Sequence, residues 1–386
     1  MSRSRSRVLV LRVASVLAGL ALAMVLAEAV LWVTGWNPPK VLTKRYLTTP
    51  GPPPKTAYSC YPGNPNGEFS AAPDVSQGGG WELFNPLLPP ERMPLSTLPD
   101  TPWCVEYRML ASGLRDRDYA AVPAPGMVRI IGMGDSFVFG EGVQLEDTLF
   151  RQFERQTGPG VEVVNGGWPG IGTRVELERL QTLLRQLGAR RAIVVFTAND
   201  IDMTPELESR QTYINDLINI RDRYLEDHEA RAWYSGSGRL LRYVGSILGR
   251  GQVARDTIRW YQDMYDPIVN ADGLRAFAGY LGGFVAIPET RVVLVLYPLM
   301  EGLEGTYPLQ RVHDRVAAMA REAGLPVLDL APAFRGQRTR DMWVHDTDHH
   351  PNARAHGIAA DAIAAWLARE IPDFLASDPI RLPARQ

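Results

Sequence analysis

The sequence predicts an α/β protein, a three-layer α/β/α sandwich around a five-stranded parallel sheet, with an apolar N-terminal segment and a helical insertion added to it. Two observations carry the sandwich. Five short runs, 128–134, 161–167, 191–198, 291–297 and 326–330, are β-branched and apolar almost without interruption, as strands buried on both faces must be. Helical periodicity fills 148–156, 174–186, 310–323 and 353–370 between and after them. Strands that alternate with helices require right-handed crossovers, hence a parallel sheet with helices on both faces. Ligands of such sheets sit at the carboxyl ends of the strands, so the residues that follow each strand are the informative ones.

Taken in order, the first element lies outside the sandwich. Arg3, Arg5, Arg7 and Arg12 precede an uncharged apolar run at 13–27, Glu28 interrupts it, and 29–33 continue it. Residues 1–36 therefore read as a signal anchor or a signal peptide. Ala21-Leu22-Ala23 and Ala27-Glu28-Ala29 offer cleavage sites, while 13–33 is also long enough to span a bilayer. With four arginines before the run and no basic residue after it until Lys40, the rest of the chain is expected on the outer side. That means a single-pass protein of the cell membrane facing the periplasm, or a secreted one if the segment is cleaved.

Residues 37–105 are rich in proline, with Pro38-Pro39, Pro52-Pro53-Pro54 and Pro89-Pro90. Proline at that density opposes helix interiors and central strands, so a stalk is expected, its part 81–103 laid over the domain that follows. The domain itself takes 106–386. Within it, 203–288 reads as a helical insertion with patterns at 207–225, 240–248 and 254–265, rich in tyrosine and tryptophan. Because it follows Asp200 directly, it is expected either to wall the pocket as a lid or to form a subdomain with its own small core.

Composition removes several classes of function. A formal net charge of -2 leaves no basic footprint for phosphate backbones, so no nucleic acid is expected. Two cysteines, Cys60 and Cys104, cannot build a disulfide-rich scaffold or a cysteine metal site. Both follow the export segment, and an oxidising compartment favours their pairing. Gly132-Met133-Gly134 opens like a dinucleotide fingerprint, but Phe137 occupies the third glycine position. His345, His349, His350 and His356 are numerous enough for a metal set, yet Pro351 prevents one helix from presenting them together. No metal and no cofactor are expected.

After the first strand comes Gly134-Asp135-Ser136-Phe137; after the second, Asn165-Gly166-Gly167-Trp168-Pro169-Gly170; after the third, Asn199-Asp200; before the last helix, Asp346-Thr347-Asp348-His349-His350-Pro351-Asn352. A serine, a glycine-rich turn, an asparagine and an Asp/His cluster on one sheet edge are the parts of an acyl-transfer site. Serine is a weak nucleophile and needs a base within hydrogen-bond reach and a group that fixes the tautomer of that base.

In these blocks the chain resembles the SGNH/GDSL hydrolases, esterases with a flavodoxin-like fold. The family's G-D-S block stands at Gly134-Asp135-Ser136, its N-x-x-x-x-G block at 165–170, its G-x-N-D block at Thr197-Ala198-Asn199-Asp200, and its Asp/His-Pro-Asn block at 348–352. The resemblance implies Ser136 as nucleophile, Gly170 and Asn199 as oxyanion donors beside the Ser136 N–H, and His350 as base. Two departures stand out. Thr197 replaces the glycine of the third block, and two Asp/His pairs overlap: Asp348 with His350, in the His-Pro-Asn register, and Asp346 with His349, in the Asp-x-x-His register. The first is preferred, because Pro351 restricts its predecessor to an extended conformation and so gives His350 a defined direction.

The function expected from this resemblance is that of a serine esterase cleaving acetyl or other short O-acyl esters through an acyl-Ser136 intermediate. Its partner would be an ester substrate, such as an acylated glycan or lipid, with the membrane met through 13–33. An O-acyltransferase of an extracytoplasmic glycan, using the same residues, is the alternative within catalysis. A carbohydrate-binding or scaffold domain without activity is the alternative outside it.

Overall fold

The computed structural model describes residues 2–35, 45–48, 54–62, 82–84, 102–211, 254–346 and 348–377. The chain forms two compact units, one of 1–42 with 213–257 and one of 43–212 with 258–386. In the first unit, α1 (Ser2–Val33) is a single helix. Its segment Leu11–Val33, 23 residues with mean hydropathy 2.3, is long and apolar enough to cross a membrane.

The second unit begins with antiparallel strands where a stalk was expected. β1 (Arg45–Thr48), β2 (Lys55–Pro62), β3 (Glu82–Phe84) and β4 (Pro102–Met109) form a sheet in the order β3-β1-β2-β4. The prolines punctuate these strands without preventing them: Pro54 precedes β2, and Pro62 opposes Pro102 at the far end of the β2–β4 ladder. Between those limits β4 alternates, with Val105, Tyr107 and Met109 buried and Glu106 and Arg108 exposed, which is the pattern of a sheet with one covered face. Cys60 faces Cys104 across the ladder, and the two are disulfide-bonded. Most of 81–103 lies outside the described residues. The buried face joins Tyr61, Val105, Tyr107 and Met109 to Phe139, Val143 and Val344 of the following domain, so this compact unit starts at residue 43 and not at 106.

The sandwich follows the expected plan. β5 (Val128–Met133), β6 (Val161–Asn165), β7 (Arg191–Phe196), β8 (Arg291–Leu296) and β9 (Val327–Asp329) form a parallel sheet ordered β6-β5-β7-β8-β9. Strands β5 and β7 are buried along their whole length. The connecting helices are α2 (Ser136–Phe139), α3 (Leu149–Thr157), α4 (Thr173–Gln186), α5 (Ala271–Val285), α6 (Gln310–Glu322), α7 (Ala331–Phe334) and α8 (Ala353–Glu370). The chain leaves β5 for β6 on one side and returns past β5 to β7 on the other, so right-handed crossovers put α3 on the face opposite α4, α5 and α6. α8 packs against α3, and α5 packs against both α4 and α6. Because this reversal occurs at β5, its carboxyl end opens the crevice where ligands of such sheets bind.

One boundary needs correction. The expected insertion at 203–288 includes α5, which is the β7-to-β8 crossover and belongs to the core of the sandwich. Gly273, Gly279, Gly282 and Gly283 weaken its helical signal, yet Leu274, Phe277, Leu281 and Phe284 at helical spacing form its buried face. The described residues on either side of 212–253 are helical at 205–211 and 254–264; the expected helix at 240–248 and most of that at 207–225 lie outside the described residues.

Candidate active site

Ser136 opens α2 directly after β5 and Gly134-Asp135. Gly134 has no room for a side chain: a Cβ there would meet Val138 Cγ2 at 2.5 Å and the Val195 carbonyl oxygen at 2.8 Å. Asp135 caps α2, its carboxylate accepting from the Phe137 N–H at 2.9 Å. The turn is thereby fixed by a close approach on one side and a cap on the other, and Ser136 emerges at the crevice.

β10 (Trp343–His345) pairs antiparallel with β11 (Asp348–Pro351), and β11 delivers the Asp/His block. His350 Nε2 lies 2.9 Å from Ser136 Oγ, and its Nδ1 lies 2.5 Å from Asp348 Oδ1. Phe137 meets the imidazole edge to face, with centroids 5.7 Å apart. Asn352 anchors the hairpin to the helix that follows. Its side-chain Oδ1 accepts from the Ala355 N–H as the cap of α8, and its side-chain amide donates to the Asp341 and Trp343 carbonyls. The structure therefore brings Ser136, His350 and Asp348 into one line.

The second Asp/His pair is directed elsewhere. Asp346 is ion-paired with Arg340 at 2.6 Å on the exposed side of the hairpin. His349 stacks on Trp343 at 3.7 Å between centroids and meets Glu301 through Nδ1 at 2.5 Å. Neighbours along a strand point to opposite faces, which separates His349 from His350.

The loop after β6 continues the pairing with β5 before it turns. The Gly166 N–H donates to the Gly132 carbonyl and the Trp168 N–H to that of Gly134, while Asn165 Oδ1 accepts from the Gly167 N–H. Gly170 ends this loop at φ +75°, with open space where a Cβ would stand. Asn199, after β7, donates its amide to Asp135 Oδ2 at 3.1 Å and accepts from Thr197 Oγ1 at 2.8 Å. An amide nitrogen has two protons, so this bond leaves one for a ligand.

Thr197, which stands where the resemblance calls for glycine, serves as a hub. Besides Asn199, its hydroxyl oxygen is 2.9 Å from Asp135 Oδ2 and 3.2 Å from Asp200 Oδ1. One hydroxyl proton cannot serve three oxygens. Burial pushes the Asp200 carboxyl well above the usual carboxylate range, and Glu176 and Asp135 beside it push in the same direction. Were Asp200 to donate to Thr197, the threonine proton would be left for Asn199 Oδ1, while Asp135 Oδ2 accepts from the Asn199 amide. Glu176, fully buried on α4, is likewise held well above its ordinary value by burial and then by Asp135.

Three further groups at the site escaped the sequence reading. Glu141 Oε2 lies 3.5 Å from His350 Nε2. Tyr61, from β2, donates its hydroxyl to Asp348 Oδ2 at 2.7 Å. Arg115 is buried and donates to the carbonyls of Glu106, Phe139, Gly140 and Val143, so it staples the turn that carries Glu141. Burial lowers its guanidinium to about 10, which leaves it charged near neutrality. Sequence neighbourhood signals Glu141 and Arg115 only faintly, and it does not signal Tyr61 at all. Among the described residues, Glu141, Asp348 and His350 present ligand atoms within 4.8 Å of one another, but both imidazole nitrogens of His350 are already engaged.

The description of the GDSL-like lipase/acylhydrolase family matches residues 133–358, more than half of the chain. No curated protein matches it in sequence. Among solved structures, it is similar to the native aryl esterase of M. smegmatis, with 14% identity over 62% of this chain and 98% of that one (TM-score 0.33). Est24, a carbohydrate acetylesterase from Sinorhizobium meliloti, is similar at 13% identity over 62% and 98% (TM-score 0.33). A lipolytic G-D-S-L family protein from Veillonella parvula is similar at 14% identity over 63% and 99% (TM-score 0.34).

Proposed function

The chain belongs to the GDSL-like lipase/acylhydrolase family and is a hydrolase acting on esters, and from that premise we propose an extracytoplasmic serine esterase that releases acetyl or other short acyl groups through an acyl-Ser136 intermediate. The observation that carries the proposal is the continuous line from Asp348 Oδ1 through both nitrogens of His350 to Ser136 Oγ, at 2.5 and 2.9 Å.

In this reading His350 Nε2 takes the hydroxyl proton as Ser136 Oγ bonds to the ester carbonyl carbon. Asp348 holds the proton on Nδ1, which keeps Nε2 free to accept, and it stabilises the imidazolium that forms. Negative charge then develops on the former carbonyl oxygen. The Ser136 N–H, the Gly170 N–H and the second amide proton of Asn199 are the donors assigned to it, each worth about 3–4 kcal/mol of barrier in sites of this kind. Collapse breaks the ester C–O bond, and the imidazolium gives its proton to the leaving alcohol. Water, deprotonated by His350, attacks the acyl-enzyme, releases the acid and restores Ser136.

The outer location rests on α1. Its apolar length and the arginines that precede it support an anchor that keeps residues 43 onward beyond the membrane.

Ser136→Ala tests the reading. Turnover of p-nitrophenyl acetate should fall by at least about 10³-fold with an unchanged melting temperature, and acid-quenched wild type should carry an acetyl adduct on Ser136 by peptide mass spectrometry. Equal turnover by variant and wild type would refute the serine mechanism.

A further inference from the structure

We propose that Tyr61 is a positioning residue for this reaction, one that holds the Asp348 carboxylate in the plane that aims His350 at Ser136; the inference rests on the roles assigned above to Ser136, His350 and Asp348. The two carboxylate oxygens divide their work. Oδ1 faces His350, 2.5 Å from Nδ1 and 3.2 Å from the backbone N–H, while Oδ2 accepts the Tyr61 hydroxyl at 2.7 Å. The terminal torsion of an aspartate is broad and nearly two-fold. An aspartate held at one oxygen can therefore swing, whereas one held at both has a fixed plane.

Tyr61 is itself immobilised. It is fully buried among Val105, Phe139, Val143 and Val344, and its ring packs 5.4 Å from that of His345 on β10, the partner strand of β11. Its chain neighbour Cys60 is bonded to Cys104, and β2 pairs with β4 along its whole length. Space for the hydroxyl is provided by Gly142, where a Cβ would come within 2.9 Å of it. Tyr61 also lies outside the residues 133–358 that match the family. The N-terminal sheet thus sends the Tyr61 hydroxyl to the site, where it meets the group behind the base.

The hydroxyl has an electrostatic effect as well. By donating to Asp348 it withdraws charge that would otherwise favour the imidazolium. Among the described residues, Glu141 lies beside Nε2, Asp135 and His356 are close enough to interact, and the Arg115 guanidinium acts on Glu141 and His356; Tyr61→Phe leaves each of these groups in place.

Tyr61→Phe in the full-length protein is the test, with kcat expressed per active site by acyl-burst titration so that only folded enzyme counts. We expect kcat to fall roughly tenfold, as for loss of a hydrogen bond to a charged group, with KM within twofold. The acidic limb of kcat/KM should move to higher pH. In an Asp348→Ala background the same substitution should have less than a twofold effect, because its acceptor is gone. An unchanged kcat, an unmoved acidic limb, or an equal loss in the Asp348→Ala background would overturn the assignment. Ser136→Ala separates the two levels: if it is inactive while Tyr61→Phe behaves as wild type, only this inference fails, and if it is active, the roles beneath the inference fail with it.

Discussion

Replacing Gly167 by alanine should disable the enzyme without altering any side chain that carries chemistry. A Cβ at Gly167 would lie 2.3 Å from the Phe139 nitrogen, 2.7 Å from the Val138 carbonyl carbon and 2.8 Å from Val138 Cβ. Ordinary contact begins at 3.4 Å, so the two segments must separate by about 1.1 Å. No flexible side-chain tip can absorb that shift, because the nearest atoms are the backbone of α2. That backbone is tied down in turn: the Phe139 N–H donates to the Asp135 carbonyl, and the Gly140 and Glu141 N–H groups both donate to that of Ser136. The opposing loop is tied to Gly134 and Asn165. A misplacement of about 1 Å costs roughly 10²-fold in rate, and overpacking a tight site costs about 1–3 kcal/mol of stability. We expect kcat/KM for p-nitrophenyl acetate to drop about a hundredfold while the protein melts as a folded species a few degrees lower. Gly170→Ala is the comparison. At φ +75° with nothing within 4 Å, it should pay only the left-handed strain of about 1–2 kcal/mol and keep more activity. A Gly167→Ala enzyme within threefold of wild type, or one more active than Gly170→Ala, would refute the reasoning.

His350→Ala should lose nearly as much activity as Ser136→Ala, and the double variant little more, because residues that act as a unit are not additive; His349→Ala and Asp346→Asn should retain most of kcat. An inactive His349→Ala beside an active His350→Ala would assign the chemistry to the other register. Glu176 yields a stability prediction with a definite sign. Burial raises its folded value above 4.5, so the native state keeps a proton that the unfolded chain releases, and stability declines as pH rises beyond about 4.5. Glu176→Gln cannot ionise and should flatten the melting temperature between about pH 5 and 8 and raise it at the upper end; identical pH profiles for variant and wild type would contradict the burial argument.

Which of these features could be read from the chain depends on how local their signals are. Strands such as β5 and β7 are buried on both faces, so each declares itself by its own apolar run. Ser136 and Asn199 were legible for the same reason: each follows the end of such a strand, and a parallel sheet brings those ends to one edge. α5 was harder, because its glycines carry a loop-like composition while the buried face of four apolar residues lies at helical spacing beneath them. The N-terminal sheet was missed through an overextended rule. Proline excludes central strand positions, but Pro62 and Pro102 stand at the end of the ladder, where the rule does not apply.

The remainder of the site is illegible for a physical reason. Tyr61 and Asp348 are 287 residues apart, and nothing in a tyrosine on an alternating strand specifies which carboxylate it will meet. The meeting follows from the docking of a whole sheet face, a property of the cluster from Tyr61 to Val344 and not of any one residue in it. The same holds for Glu176, whose sequence neighbourhood, Arg174 to Arg179, reads as a solvated helix face although the carboxyl is fully buried. An ionised acid in that position is destabilising, and burial first, then the neighbouring Asp135, pushes its carboxyl well above the ordinary value. Asp135 and Asp200 meet at Thr197, the residue that departs from the family's glycine. Thr197 joins the two aspartates through one hydroxyl, and Glu176 on α4 acts on Asp200, so the departure in the third block and these buried acids belong to one arrangement.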